Sequence, residues 1–290
     1  MAYPSLESIV MYCQEHQVDF YEAILIDDCD ERKVSQEESF EQMRKMWEAM
    51  VQASESYDGG IKSPSGLVGG QGRMMEHYRE KGDTLCGDFM AQVIGQALEM
   101  GESNACMKRI VAAPTAGSCG VLPAVLIPYY RTHEVSDDEI LKSLYVAAGI
   151  GQVIATRAFI AGAAGGCQAE VGAASSMAAG AMVALRGGTP YQITQAAAIA
   201  LKNLLGLVCD PVAGLVEVPC VKRNVIGAVG AMAAADMALA KIISKIPADQ
   251  VIDAMREIGE KMDVSLKETG EGGLAASVAG VRIRQAMDPQ

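Results

Sequence analysis

Aromatic side chains are scarce in this chain: one Trp, four Phe and nine Tyr make up 5% of its 290 residues. That shortage disfavours a β-sandwich, whose pleated faces want Val, Ile, Thr and Tyr. Half of the residues are apolar all the same, and Ala, Gly and Met supply what the aromatics do not, which favours helices packed closely together. Basic charge is short as well: 24 Lys and Arg against 36 Asp and Glu leave a net charge of −12, without any run of five or six Lys or Arg. A phosphate backbone or an anionic membrane surface would be repelled on average, so neither nucleic acid nor membrane is expected as a partner. The opening MAYPSLESIVMYCQEH has neither the basic start nor the continuous apolar stretch of a secretory signal, and the expected location is the cytoplasm.

Long uninterrupted apolar runs are missing too. Segments 171–186, 190–205 and 225–240 are dense in Ala and Gly at three- and four-residue spacing, a pattern shared with membrane helices. Arg157, Glu170, Arg186 and Lys202 break the apolar windows, however, and Asp236 sits inside the last one; each would be costly in hydrocarbon. The expectation is therefore an all-α protein, a single compact bundle of Ala/Gly-rich helices with its active site in loops at helix ends. At 290 residues the chain lies near the upper limit for one hydrophobic core, and one domain is expected over 1–290, with a helical N-terminal portion (1–58) and a core (59–280).

Helix starts are written locally. Ser35 with Glu38 and Ser136 with Glu139 form capping boxes, and Thr189-Pro190 with Gln192 opens a third helix. Helices are expected over 5–28, from Ser35, over 83–100, from Ser136 to about Ala161, over 171–186, from Thr189 to about Leu205, over 225–240 and over 247–262. In the Ser35 helix, Met43, Met46, Trp47, Met50 and Val51 recur at helical spacing and read as core.

Two loops carry usable chemistry. The first, DGGIKSPSGLVGGQG (58–72), holds six glycines in fifteen residues and cannot be a helix interior. Its Lys62, Ser63 and Ser65 offer a cation and hydroxyls, and its glycines would let backbone N–H groups face an anion; a mobile linker is the competing reading. The second, Thr115-Ala116-Gly117-Ser118, precedes an apolar run starting at Val121 and suits a carboxylate or phosphate, because the first N–H groups of a helix lack internal partners.

Eight cysteines in a chain with no secretory signal read as thiols rather than a disulfide framework. Cys13 and Cys106 lie in apolar helical patterns and Cys29 in an acidic exposed segment. Cys167, Cys209 and Cys220 instead fall in Gly- and Pro-punctuated turns. Their separations of 42 and 11 residues match neither the short pairs of zinc ribbons nor ferredoxin repeats, so metal ligands, a redox pair and buried thiols all remain open from spacing.

The stretches APTAGSCG (113–120), GAAGGCQAEVGAASSMAAGA (162–181), GLVCDPVAGLVEVPC (206–220) and KETGEGGLA (267–275) closely resemble the alpha chain of the bacterial iron–sulfur-dependent L-serine dehydratases. The resemblance implies that Cys167, Cys209 and Cys220 hold three irons of a [4Fe–4S] cluster, with no pyridoxal phosphate; the fourth iron stays open as Lewis acid for the hydroxyl of L-serine. It implies loss of water from L-serine to give pyruvate and ammonia, a separate beta chain and a hetero-oligomer. The sequence ends in MDPQ, without the terminal cysteine that single-chain members place over the cluster. Thr115, Ala116, Gly117 and Ser118 are the expected substrate site. For the general base the options are a serine of either loop (Ser63 and Ser65 in the first), Lys62 or a histidine of the beta chain; His16, His77 and His133 lie in no matching motif. Cys119 reads as structural, since a fourth thiolate would close the Lewis-acid site.

Two alternatives stand beside this one. A related cluster-dependent lyase would release sulfide from L-cysteine by the same elimination, and a non-catalytic iron–sulfur or zinc-binding subunit would use the cysteines without substrate loops.

Overall fold

The computed structural model describes residues 3–287; of the MDPQ ending only Met287 is included. Among the described residues there are thirteen α-helices and no β-strand: α1 (Leu6–His16), α2 (Phe20–Arg32), α3 (Gln36–Glu55), α4 (Gln71–Arg79), α5 (Gly87–Ala105), α6 (Val121–Thr132), α7 (Asp137–Arg157), α8 (Gly162–Gly165), α9 (Ala173–Leu185), α10 (Pro190–Lys202), α11 (Cys220–Leu239), α12 (Ala248–Lys261) and α13 (Val278–Met287). The chain is all-α, as composition predicts.

The capping boxes form where the sequence writes them. At α3 the Glu38 N–H donates to Ser35 Oγ at 3.2 Å while Ser35 N–H donates to Glu38 Oε2 at 2.9 Å. Ser136 with Glu139 at α7 and Thr189 with Gln192 at α10 repeat the reciprocal pair. Other boundaries differ from expectation. Segment 5–28 is two helices rather than one, because Gln17 takes left-handed backbone angles (φ 55°) and the Asp19–Glu22 box starts α2. The helix expected over 83–100 begins at Gly87 and runs to Ala105, α7 stops at Arg157 instead of near Ala161, and α11 begins at Cys220 itself rather than after Asn224. The charged C-terminal stretch forms α13.

Helix α9 lies at the centre, with every residue from Ala173 to Val183 buried. It packs against α6, α7, α10 and α11, while α5 bridges α11, α4 and α6. Small residues set these approaches: a Cβ on Gly227 of α11 would stand 2.8 Å from Val171 Cγ1, and one on Gly151 of α7 would stand 2.9 Å from Met177 Sδ. The Ala/Gly spacing thus serves helix contact inside one core that includes Leu6 and Met255. Trp47 and Met50 are buried in it, whereas Met46 is exposed. Among the described residues no helix is long and apolar enough to cross a membrane.

Candidate active site

Three chain segments meet where α8, α10 and α11 end or begin. Cys167 follows α8, after Gly166 turns the chain at φ 77°, and leads through a π-helical turn (Gln168–Gly172) into α9. Cys209 lies in the loop after α10. Cys220 is the first residue of α11, preceded by the cis Val218–Pro219 bond. Side-chain and backbone bonds lace the segments together. Gln168 N–H donates to Leu207 O and its Oε1 accepts from Gly206 N–H, both at 2.9 Å. Cys209 N–H donates to Leu266 O and its carbonyl accepts from Glu268 N–H, both at 2.8 Å, so the KETG loop pairs with the Cys209 segment.

All three thiols are buried, and each lies within electrostatic reach of the other two. Burial pushes Cys167 up to about 11, against the opposing pull of Arg223, and pushes Cys220 up to about 12. Cys209 is raised by burial and then by the charges of Cys167, Glu170, Glu268 and Cys220. One cation offsets this: Arg223 hydrogen-bonds Cys167, donates to Val208 O at 2.7 Å and lies 2.8 Å from Asp210 Oδ1. Asp210 in turn accepts from Leu274 N–H at 2.8 Å, which ties the GGLA stretch to the same place.

Among the described residues no three His, Cys, Asp or Glu side chains gather as ligands of one metal ion. The ligands of a [4Fe–4S] cluster each bind a different iron and stand further apart than the ligands of a single zinc. Three buried thiols within electrostatic reach of one another, beside a hydrogen-bonding cation, are a donor set that suits such a cluster.

The Thr115 turn opens onto this socket through Glu170. Residues Ala116–Ser118 form a single 3₁₀ turn after the cis Ala113–Pro114 bond. Asn224 of α11 fixes it, accepting from Gly120 N–H at 2.9 Å and donating to Gly117 O at 2.9 Å. Thr115 Oγ1 donates to Glu170 Oε1 at 2.8 Å. A Cβ on Gly117 would lie 2.9 Å from that oxygen, and one on Gly162 would lie 2.7 Å from Glu170 Oε2 and 3.0 Å from Cys209 Sγ. Glycine at both positions leaves room for a carboxyl group between turn and thiols. Burial raises the Glu170 carboxyl above the usual range, the Thr115 bond opposes that, and Glu268 adds to it.

The Lys62 loop meets the segment that leads into Cys220. Ser63 and Ser65 both donate to Glu217 Oε2, at 2.7 and 2.5 Å, and Glu217 is buried three residues before Cys220. Lys62 is exposed. The glycine amides of this loop do face an anion, but it belongs to the protein: Glu102 Oε1 accepts from Gly69 and Gln71 N–H at 3.1 and 2.8 Å, and Oε2 from Gly72 N–H at 3.3 Å and Tyr57 Oη at 2.6 Å. Cys119 points elsewhere, its Sγ–H directed at Met100 O of α5 at 3.8 Å. His77 and His16 are exposed, and His133 stacks on Tyr129 at 4.0 Å. Glu170, Arg223, Glu217, Asn224 and Glu102 all escaped sequence reasoning. Glu170 lies inside a quoted motif but reads there only as a charge interrupting an apolar run.

Fold and site together define an all-helical protein with three buried thiols beside a carboxyl-bearing turn. The serine dehydratase alpha chain family matches residues 15–275, and the chain belongs to that family. It is 45% identical over 281 residues to a probable L-serine dehydratase alpha chain of Bacillus subtilis (strain 168), covering 97% of this chain and 94% of the relative. It is 40% identical over 282 residues to the L-serine dehydratase alpha chain of Peptoniphilus asaccharolyticus, covering 96% and 95%. Against L-serine dehydratase 2 of Escherichia coli (strain K12) it is 46% identical over 184 residues, 63% of this chain and 40% of that longer protein.

Proposed function

We propose that this chain eliminates water from L-serine to give pyruvate and ammonia, and that it acts with a separate beta chain, as the naming of its relatives as alpha chains suggests. The observation that carries the reading is the meeting, through Glu170, of the Thr115 turn and the three buried thiols. Cys167, Cys209 and Cys220 would hold a [4Fe–4S] cluster, whose chemistry when bound is Lewis-acid activation of the substrate hydroxyl.

The chain's own residues do the rest. The Ala116 and Gly117 amides receive the α-carboxylate, since those of Thr115 and Ser118 are taken up by the reciprocal cap of the turn, whereas the first amides of a helical turn otherwise lack partners within it. Glu170 is held at Oε1 by Thr115, which leaves Oε2, facing Gly162 and Cys209, to take the α-proton. A carboxyl group raised by burial is a better base for that poorly acidic proton than an exposed one. Ser63 and Ser65, both donating to Glu217, position the segment before Cys220. Arg223 offsets the negative charge of the thiolates. Released aminoacrylate tautomerises and hydrolyses without further help.

The test is anaerobic reconstitution of the full chain with its beta chain, followed by iron analysis and pyruvate assays with L-serine and L-cysteine. About four irons per chain and pyruvate from L-serine are expected. Cys167→Ser should lose both, and Glu170→Gln should keep the iron and lose about 10²-fold or more in kcat. Iron content unchanged by Cys167→Ser, or no pyruvate from L-serine by the iron-loaded complex, refutes the reading.

A further inference from the structure

A second polar cleft lies away from the thiols, between α4, α5 and α6. Glu76, Arg79, Gln96, Glu99 and Arg131 line it, and its volume is about 110 Å³, well above the roughly 15 Å³ that one water needs. It carries two carboxyl groups, Glu76 and Glu99, and two guanidinium groups, of which Arg79 is paired with Asp88 at 3.0 Å and Arg131 is left to the cleft. Gln96 is 4% exposed, and while its Oε1 accepts from Ser54 Oγ at 2.9 Å, its buried Nε2 has no partner. A buried amide N–H₂ left unpaired is costly unless something accepts from it. Arg131 adds Nη2 at 3.5 Å from the same Ser54 Oγ, so the cation and the orphaned amide belong to one polar network.

We infer that this cleft is a binding site for a small zwitterion, a free α-amino acid, whose carboxylate is received by Arg131 and Gln96 Nε2 and whose ammonium is received by Glu99 and Glu76. A carboxylate alone would leave both glutamates facing an anion, and an amine alone would leave the guanidinium and the amide unanswered. Glu99 supports the assignment: its carboxyl is pushed up to about 7 by burial and then by Glu76 and Glu102, with Arg131 opposing, so a cation placed beside it is strongly favoured. The cleft joins α4 to α5, and α4 starts at the Gln71 amide held by Glu102. A bound amino acid therefore clamps the helix that anchors the Ser63–Ser65 loop. This site is independent of the elimination reading, since none of its residues belongs to the thiol socket or the Thr115 turn.

Titration calorimetry on the reconstituted full-chain complex tests it, with L-alanine as probe because it has no leaving group on its β-carbon. Saturable binding is expected, at least about ten-fold weaker in Glu99→Gln and in Arg131→Gln, as loss of a charged hydrogen bond implies, partly restored in Arg131→Lys, and unchanged in Glu170→Gln. Circular dichroism confirms that each variant is folded, and Arg131→Lys keeps the test decisive if Arg131→Gln is not. Acetate and methylamine should each bind at least about ten-fold more weakly than L-alanine. Absence of saturable binding, equal affinity in the cleft variants, a loss confined to Glu170→Gln, or acetate or methylamine binding as tightly as L-alanine overturns the inference.

Discussion

Replacing Glu102 by Gln isolates what holds the glycine-rich loop in place. The carboxylate is 1% exposed and takes four donors, two on each oxygen: Gly69 and Gln71 N–H on Oε1, Gly72 N–H and Tyr57 Oη–H on Oε2. Glutamine has the same shape but one accepting oxygen. If that oxygen keeps Gly69 and Gln71, the new N–H₂ faces Gly72 N–H, while the Tyr57 hydroxyl can turn and accept instead. The least damaging arrangement thus orphans one buried backbone donor, costing about 1–3 kcal/mol, and weakens two charge-assisted bonds to neutral ones. The expected loss is about 2–4 kcal/mol, a large share of the roughly 5–15 kcal/mol that holds an ordinary domain together. Hydrogen exchange reads it locally: the orphaned Gly72 amide, and with it those of Gly69 and Gln71 as the loop opens, should exchange about 30- to 1,000-fold faster, with a lower denaturant midpoint. Exchange within about three-fold of the parent and an unmoved midpoint would show that the loop is held by its apolar anchors, such as buried Val68, and refute the accounting.

Gly162→Ala places a methyl group 2.7 Å from Glu170 Oε2 and 3.0 Å from Cys209 Sγ; iron analysis and pyruvate assays should both fall well below the parent, while far-ultraviolet circular dichroism stays unchanged. Arg223→Lys keeps a positive charge but cannot span Cys167, Val208 O and Asp210 together, and iron release to a chelator should be about 10- to 100-fold faster. Glu99, whose folded-state carboxyl lies near 7 rather than its ordinary 4.5, binds its proton more tightly in the folded chain. Its contribution favours the fold below about pH 4.5 and is lost as pH rises through about 7. Glu99→Gln should accordingly raise the melting temperature at pH 8 more than at pH 5; a pH-independent difference would count against the shift.

Local features were legible because their causes are local. Ser35, Ser136 and Thr189 needed only a partner three residues on, and Cys167, Cys209 and Cys220 stood out against the helical pattern because glycine and proline surround them. The break between α1 and α2 was not legible, since Gln17 adopts its left-handed turn without the glycine that signals one. Site partners were hidden for a different reason. Glu217 meets Ser63 across 154 residues and Glu170 meets Thr115 across 55, separations over which no periodicity operates. An anion-binding turn was readable in both loops, but not that the chain brings its own carboxyl groups to them.

The lacing around the thiols bears on how the proposed cluster would enter. Cys209 is fixed by two backbone bonds to residues 266–268, the Cys167 segment by Gln168, and Cys220 by a twenty-residue helix. None of these ties involves iron. A zinc finger folds only when its ion arrives, so that ion's binding energy is consumed in ordering the chain. On the proposed reading the ties that hold the three thiols are all protein–protein bonds, and assembly should resemble filling a mould. Stripping the metal should leave the melting profile of the bundle nearly unchanged, and an emptied chain should be refillable without passing through an unfolded state.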